Sequence, residues 1–290
     1  MRGNGGIVRR LLQVEGSPVL VRAWQPGSER VILRADPLDP AAVVLAPVGP
    51  DPGTAPAGRA QLETAIERMR FALAVDDDLS DFHHRFRRDR LLGPLLRRLP
   101  RFRPQRRPWP WEALASAVIG QLIEADRAAR IERRVVGRWG PRLGEGREAL
   151  RDVPAAAIIA GRAPAELTAM DLAPNRAAAL RRVATLVASG RCDLESASAD
   201  RRLLAMPQIG PWTVQCLGLF GRGEMDSLPA GDLGYIKLVG RLAGLGRRAT
   251  VAEVEEFYAP YEPYRGIVGA LTLAGLHRVV AQGPPLRLAA

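Results

Sequence analysis

The chain has 290 residues, 47% hydrophobic content and a formal net charge of +11, enough apolar material for one or two buried cores and no mark of disorder along its whole length. Its only cysteines, Cys192 and Cys216, are too few for a disulfide framework, a four-cysteine zinc site or a four-cysteine iron–sulfur cluster. No apolar run has signal-peptide length or could cross a bilayer, so a reducing cytoplasm is the expected setting. The positive charge favours an anionic partner. That argument is weakened by composition, because among 42 basic residues only Lys237 is a lysine, a skew that a GC-rich genome produces without selection for binding.

Residues 19–24 (Val-Leu-Val-Arg-Ala-Trp) and 30–34 (Arg-Val-Ile-Leu-Arg) flank Gln25-Pro26-Gly27-Ser28-Glu29, which predicts a hairpin in a small opening sheet. Val43-Val44-Leu45 offers a further strand before a Pro- and Gly-rich loop over 47–58. Leu62, Ile66, Met69 and Leu73 then recur at helical spacing over 61–75. Asp78-Leu79-Ser80-Asp81 can cap the next helix, which carries Phe82 and Phe86. His83 and His84 beside these acids suggest a metal site, but adjacent histidines point to different sides of a helix, so an acidic cap with structural histidines is the reading adopted.

Ten arginines lie between Arg85 and Arg107, read either as a solvated helix face with a basic linker or as an electrostatic footprint for a polyanion. A Pro/Arg linker over 103–110 leads into two helical segments over 111–139, broken near Glu124. Further helices are predicted over 154–160, 175–188, 199–205, 211–220, 233–242, 252–258 and 264–281, with Gly190, Gly221 and Gly244 at helix ends. The expected organisation is an N-terminal region over 1–105 with the sheet and following helices, a helical region over 106–282, and a loose tail over 283–290. No internal repeat is visible.

The richest local pattern is Met206-Pro207-Gln208-Ile209-Gly210-Pro211-Trp212-Thr213. A tight Pro/Gly loop before a helix leaves backbone N–H groups unpaired at the helix start, where they can hold a phosphate oxygen directly or through a bound monovalent cation. Ile209 is expected to turn inward and pack the flanking helices. The same loop is equally an ordinary helix–helix turn. Gly231-Asp232-Leu233-Gly234 follows, with Asp232 where a helix should begin. As an N-cap it is worth about 1 kcal/mol. The helix dipole also favours its ionised form, and an anion so placed can stabilise an oxocarbenium-like state while water attacks an N-glycosidic bond.

With these residues in place, the stretch from 203 to 242 resembles the helix-hairpin-helix DNA glycosylase superfamily, and more narrowly the bacterial DNA-3-methyladenine glycosylase II type. Gly210-Pro211-Trp212-Thr213 matches the family hairpin, and the family's catalytic aspartate falls on Asp232. Residues 111–123, with Gln121-Leu122-Ile123 at their end, are similar to the family segment whose leucine is wedged into the DNA stack, and Leu122 is the matching position. Tyr261-Glu262-Pro263-Tyr264-Arg265 resembles the segment before the family's last helix. The implied fold is mostly α, with helix-hairpin-helix domains and a small N-terminal α+β domain.

The resemblance implies a monofunctional enzyme that removes damaged, alkylated bases by N-glycosidic hydrolysis. Its partner is double-stranded DNA containing a damaged base flipped into a pocket, and it acts as a monomer. Asp232 is the expected catalytic residue. Trp212, Cys216 and Leu273 are the expected base pocket, and Gln121, Leu122, Gln208, Ile209, Gly210, Pro211 and Trp212 the DNA-contacting set. Pro211 stands where lysine-dependent members carry their Schiff-base lysine, so no strand cleavage is implied. No redox cofactor or catalytic metal is expected; a monovalent cation between hairpin and phosphate is the one inorganic partner implied.

Several positions depart from the family pattern. Gln208 replaces the usual hairpin glycine, Cys216 an expected tyrosine and Leu273 an expected tryptophan. Glu124 puts a negative charge beside the expected DNA surface, and Lys237 is expected at the surface or on a phosphate. Trp212 by itself also reads as helix core. Two alternatives therefore stay open: a non-catalytic helix-hairpin-helix DNA-binding protein, and a glycosylase for deaminated or oxidised bases.

Overall fold

A computed structural model describes residues 6–27, 30–44 and 56–282. Leu45, most of the 47–58 loop and the tail over 283–290 lie outside the described residues. Strands β1 (Val8–Val14), β2 (Ser17–Trp24) and β3 (Ile32–Pro37) form an antiparallel sheet in that order. The hairpin anticipated over 19–34 is the β2–β3 pair, with Trp24 opposite Ile32. β1 escaped the sequence reading. It joins β2 through Glu15-Gly16 at φ 51 and 83, the two left-handed residues that a tight hairpin twist requires. Leu12 and Val14 of β1 and Val19 and Val21 of β2 close over Ala65 and Met69 of helix α1 (Arg59–Leu73). β4 (Val43–Val44) stands apart from that sheet and pairs with β5 (Arg142–Leu143), which pairs with β6 (Leu150–Arg151).

The rest is helical and packs around two cores. The first is built by α4 (Pro110–Gly120), α5 (Ala125–Trp139), α6 (Ala156–Ala160), α7 (Pro164–Thr168), α8 (Pro174–Ala188), α9 (Ala199–Leu204) and α10 (Pro211–Cys216). Leu114, Val118, Ile131, Leu180, Leu203 and Leu217 lie at its centre. The second joins α2 (Ser80–Phe86) and α3 (Leu92–Arg98) to α11 (Leu233–Leu242), α12 (Val251–Tyr258) and α13 (Arg265–Gln282). α2 and α3 precede the sequence boundary at 105/106, yet their Phe82, Phe86, Leu92 and Leu95 pack with Leu238, Tyr258 and Ile267. Helices α3 and α7 were not anticipated.

α10 continues as a wider π-helical turn over Leu217–Arg222 and ends at Gly223, with φ 76. Gly221, expected to be the helix end, has another function: a Cβ there would sit 3.0 Å from the Ala113 Cβ and 3.1 Å from the Pro110 Cα. Its bare backbone lets α10 and its extension lie against α4. Gly190 and Gly244, at φ 69 and 64, do terminate helices as expected. Among the described residues, no helix is long and apolar enough to cross a membrane and no acidic, histidine and cysteine cluster could hold a metal ion.

Candidate active site

Asp232 is the N-cap of α11. Its Oδ1 accepts the Gly234 N–H at 2.7 Å, and its carbonyl accepts the Ile236 N–H at 2.9 Å. Gly234 permits this closeness, since a Cβ there would meet Asp232 Oδ1 at 2.9 Å and Leu273 Cδ2 at 3.1 Å. Burial pushes the Asp232 carboxyl above the usual range. The N–H groups of Gly234 and Tyr235 and the Trp212 indole pull it back, and the nearby Glu124 charge pushes it up again. The Trp212 Nε1 is buried without a hydrogen-bond partner of good geometry among the described residues, so it stands as a spare donor beside the carboxylate.

These groups line a cleft of about 1000 Å³ where the two cores meet. Trp212 and Cys216 enter it from α10, Asp232 and Lys237 from α11, and Leu273 from α13. The sequence-predicted catalytic aspartate and all three pocket residues therefore share one cavity. Cys216 is 7% exposed; its thiol pKa is driven well up by burial and then by the Asp232 charge, which leaves it a neutral, apolar wall. At the far end of the cleft, Arg107 pairs with Glu112 at 3.1 Å and Glu132 at 3.0 Å. Arg10 reaches across from β1 to Glu112 at 2.8 Å.

Glu124, awkward in sequence, finds its reason here. It accepts from Lys237 Nζ at 2.6 Å, tying the loop after α4 to α11 across the cleft. The lysine expected on the surface or on a phosphate is thus engaged within the protein.

The hairpin and the loop after α4 form one continuous edge. Ile209 is 5% exposed and belongs to the first core, so only its backbone faces outward. Gly210 caps α10 and Pro211 occupies its first turn. Gln208 has φ 71, a conformation that glycine adopts freely and that costs an L-residue about 1–2 kcal/mol. Its Oε1 accepts from Asn175 Nδ2 at 3.2 Å. Gln121 clamps the two loops together: its Nε2 donates to the Gln208 carbonyl at 2.8 Å and to Thr213 Oγ1 at 2.9 Å, committing both hydrogens within the protein. Leu122 then protrudes, 92% exposed and left-handed at φ 58. A strained, wholly exposed leucine contributes nothing to the core and marks a position held for contact with something else.

No family model matches the chain. In sequence it is 28% identical over 228 residues to a probable bifunctional transcriptional activator/DNA repair enzyme AlkA of Mycobacterium tuberculosis, covering 77% of this chain and 45% of that one. It is 24% identical over 197 residues to the DNA-3-methyladenine glycosylase of Bacillus subtilis, covering 66% of this chain and 65% of that relative. The chain thus spans about half the length of the mycobacterial relative and under two thirds of the Bacillus one. Its structure superposes on the 3-methyladenine DNA-glycosylase from Archaeoglobus fulgidus with a TM-score of 0.73 at 21% identity, covering 95% of this chain and 88% of that one. A hairpin-opened helix, an aspartate-capped helix and a cleft between them, on this scaffold, define the helix-hairpin-helix DNA glycosylase fold. In sequence, the chain resembles bacterial proteins of the DNA-3-methyladenine glycosylase and AlkA group.

Sequence reasoning missed the parts of the site made by distant pairs. The Glu124–Lys237 link spans the two cores, and Asn175 and Arg182 reach the hairpin from α8. A single clue was available: Lys237 is the only lysine in the chain.

Proposed function

We propose that this chain is a monofunctional DNA glycosylase that removes damaged, alkylated bases from double-stranded DNA, acting as a monomer in the cytoplasm. One observation carries the reading: a partly buried carboxylate at a helix N-terminus shares a cleft with an indole, beside a strained, exposed leucine and a backbone hairpin. Leu122 fills the gap left by the extruded nucleotide, and the hairpin N–H groups hold the strand. Trp212 lies against the flipped base.

The chemistry follows from charge. As the C1′–N bond lengthens, electrons leave with the base and C1′ becomes oxocarbenium-like. Asp232, aimed from the α11 N-terminus, stabilises that cation and orients the water that adds to C1′, whose proton is lost to solvent or to the departing base. The products are the free base and an abasic sugar. Pro211 has no amine to form a Schiff base, which supports simple hydrolysis. An alkylated purine already carries positive charge, so the leaving group needs little protonation. The Trp212 ring suits such a base through cation–π attraction.

Base release from duplex DNA containing N7-methylguanine or N3-methyladenine, compared for the wild type and Asp232→Asn, tests the proposal. Equal release by both proteins would sink it. Cys216 and Leu273 leave the pocket with fewer rings than its relatives' pattern, so the same assay is run with hypoxanthine and 8-oxoguanine. Preference for either neutral lesion would move the substrate from alkylated to deaminated or oxidised bases.

A further inference from the structure

The resemblance implies a monovalent cation between hairpin and phosphate, and the residues present do not fit one. Such an ion exchanges its hydration shell for several carbonyl oxygens. In this hairpin, the Met206 carbonyl accepts from Ile209 N at 3.1 Å, and the Gly210 carbonyl from Thr213 N at 3.0 Å and Val214 N at 3.3 Å. The Gln208 carbonyl accepts from Gln121 Nε2 at 2.8 Å, and the Pro207 carbonyl from Arg182 Nη2 at 3.3 Å. Only the Ile209 carbonyl keeps both lone pairs free of donors among the described residues, so an ion here would share most of its ligands with hydrogen-bond donors. A guanidinium already resting on the loop also repels a second cation.

We infer that Arg182 takes the cation's place, bridging the hairpin to a DNA phosphate. The side chain is exposed on α8, two turns beyond Asn175. These two residues lie on the same helical face, and both reach the hairpin, Asn175 through the Gln208 side chain and Arg182 through the Pro207 carbonyl. One Nη2 bond leaves most of the five guanidinium donors unused, and their planar fork matches phosphate oxygens. The N–H groups of Gln208, Gly210 and Trp212 form no backbone hydrogen bond among the described residues, so backbone donors and a fixed positive charge meet at one place. The ligand is a single phosphodiester of the DNA strand. The left-handed Gln208 also fits, because its side chain rests on Asn175 and holds the loop against α8.

This inference rests on the DNA-binding reading above, so its test is a binding measurement independent of catalysis. Affinity for a duplex with a tetrahydrofuran abasic-site analogue is measured in potassium chloride and in tetramethylammonium chloride at equal ionic strength, and again across a salt series. The wild type is expected to bind within about twofold in the two salts. Arg182→Ala should bind about fivefold more weakly, and its slope of log K against log salt should fall by about 0.9. Arg182→Lys should restore the slope. Arg59→Ala, on the distant α1, should leave both quantities unchanged. A wild type that loses about tenfold or more in tetramethylammonium, or an Arg182→Ala slope equal to wild type, overturns the inference while leaving the glycosylase reading intact. Absence of any duplex binding by the wild type overturns both.

Discussion

The two helical cores contribute different things to the cleft between them. The core around α4, α5, α8 and α10 presents backbone and shape: the hairpin, the Gln121 clamp, the protruding Leu122 and the Trp212 ring. The core around α11 and α13 presents a charge, the desolvated Asp232. Under the proposed function, the first holds DNA and the second performs the reaction. A second hollow sharpens the lesson. A cleft of about 900 Å³ lies between the sheet and the first core, with Trp109, Trp111 and Trp139 in its walls. Its buried Asp152 is already bound by Arg10, Gln13 N and Val153 N. Burial also raises the Asp152 carboxyl, to about 6, but that group is held between Arg10 and two backbone donors; the cleft whose carboxylate caps a helix beside a buried indole N–H with no partner is the candidate for chemistry.

The division of labour predicts separable defects. The largest concerns Asp232→Asn, which should lower single-turnover base release by about 10²–10³-fold, the usual scale for losing a preorganised electrostatic group, while abasic-duplex affinity stays near wild type. Asparagine caps helices as well as aspartate does, and burial penalises the ionised carboxylate, so the variant's Tm should rise above wild type at neutral pH. A parallel loss of binding and turnover would break the comparison.

The next effect is on pH. Because burial raises the Asp232 pKa, its active anion should be lost on acidification earlier than for an ordinary aspartate, and single-turnover rates should then fall about tenfold per pH unit. The linkage has the opposite sign for stability. A folded pKa above the unfolded one means that this group's stabilising contribution is full below the unfolded value and disappears as pH rises through the folded value. Asp232→Asn should therefore abolish both the acid limb in activity and this share of the Tm–pH dependence.

Leu122→Ala belongs to the other body. It should weaken binding to the abasic duplex by about tenfold, the equivalent of 1.4 kcal/mol, with Tm within about 0.5 kcal/mol-equivalent of wild type because the side chain buries nothing. A large Tm loss would show that Leu122 is structural after all. Smallest is the link between the bodies: Lys237→Ala removes an exposed ion pair worth about 0.2–1 kcal/mol. Chemical denaturation should detect little, and less still at high salt.

How much of this was legible follows from how local each feature is. α11 was anticipated at its observed limits because a cap, an apolar periodicity and a terminal glycine all lie within one stretch of chain. The same holds for the hairpin, whose Pro and Gly specify a turn wherever they occur. β1 was overlooked because its pattern is incomplete: Leu11 and Leu12 are both buried, which hides the alternation expected of a strand. Gly221 was misread because its requirement comes from Ala113 and Pro110, over a hundred residues away.

By itself, the sequence determined the hairpin, the aspartate-capped helix after it and the proline rather than lysine that opens α10, since each depends on neighbouring residues. Tertiary structure alone decided that Asp232, Trp212, Cys216 and Leu273 share one cleft, that Glu124 is neutralised by Lys237, and that Arg182 and Gln121 occupy the hairpin carbonyls. The physical reason is that desolvation and charge pairing depend on distances through space. Those distances exist only once the two cores have closed on each other.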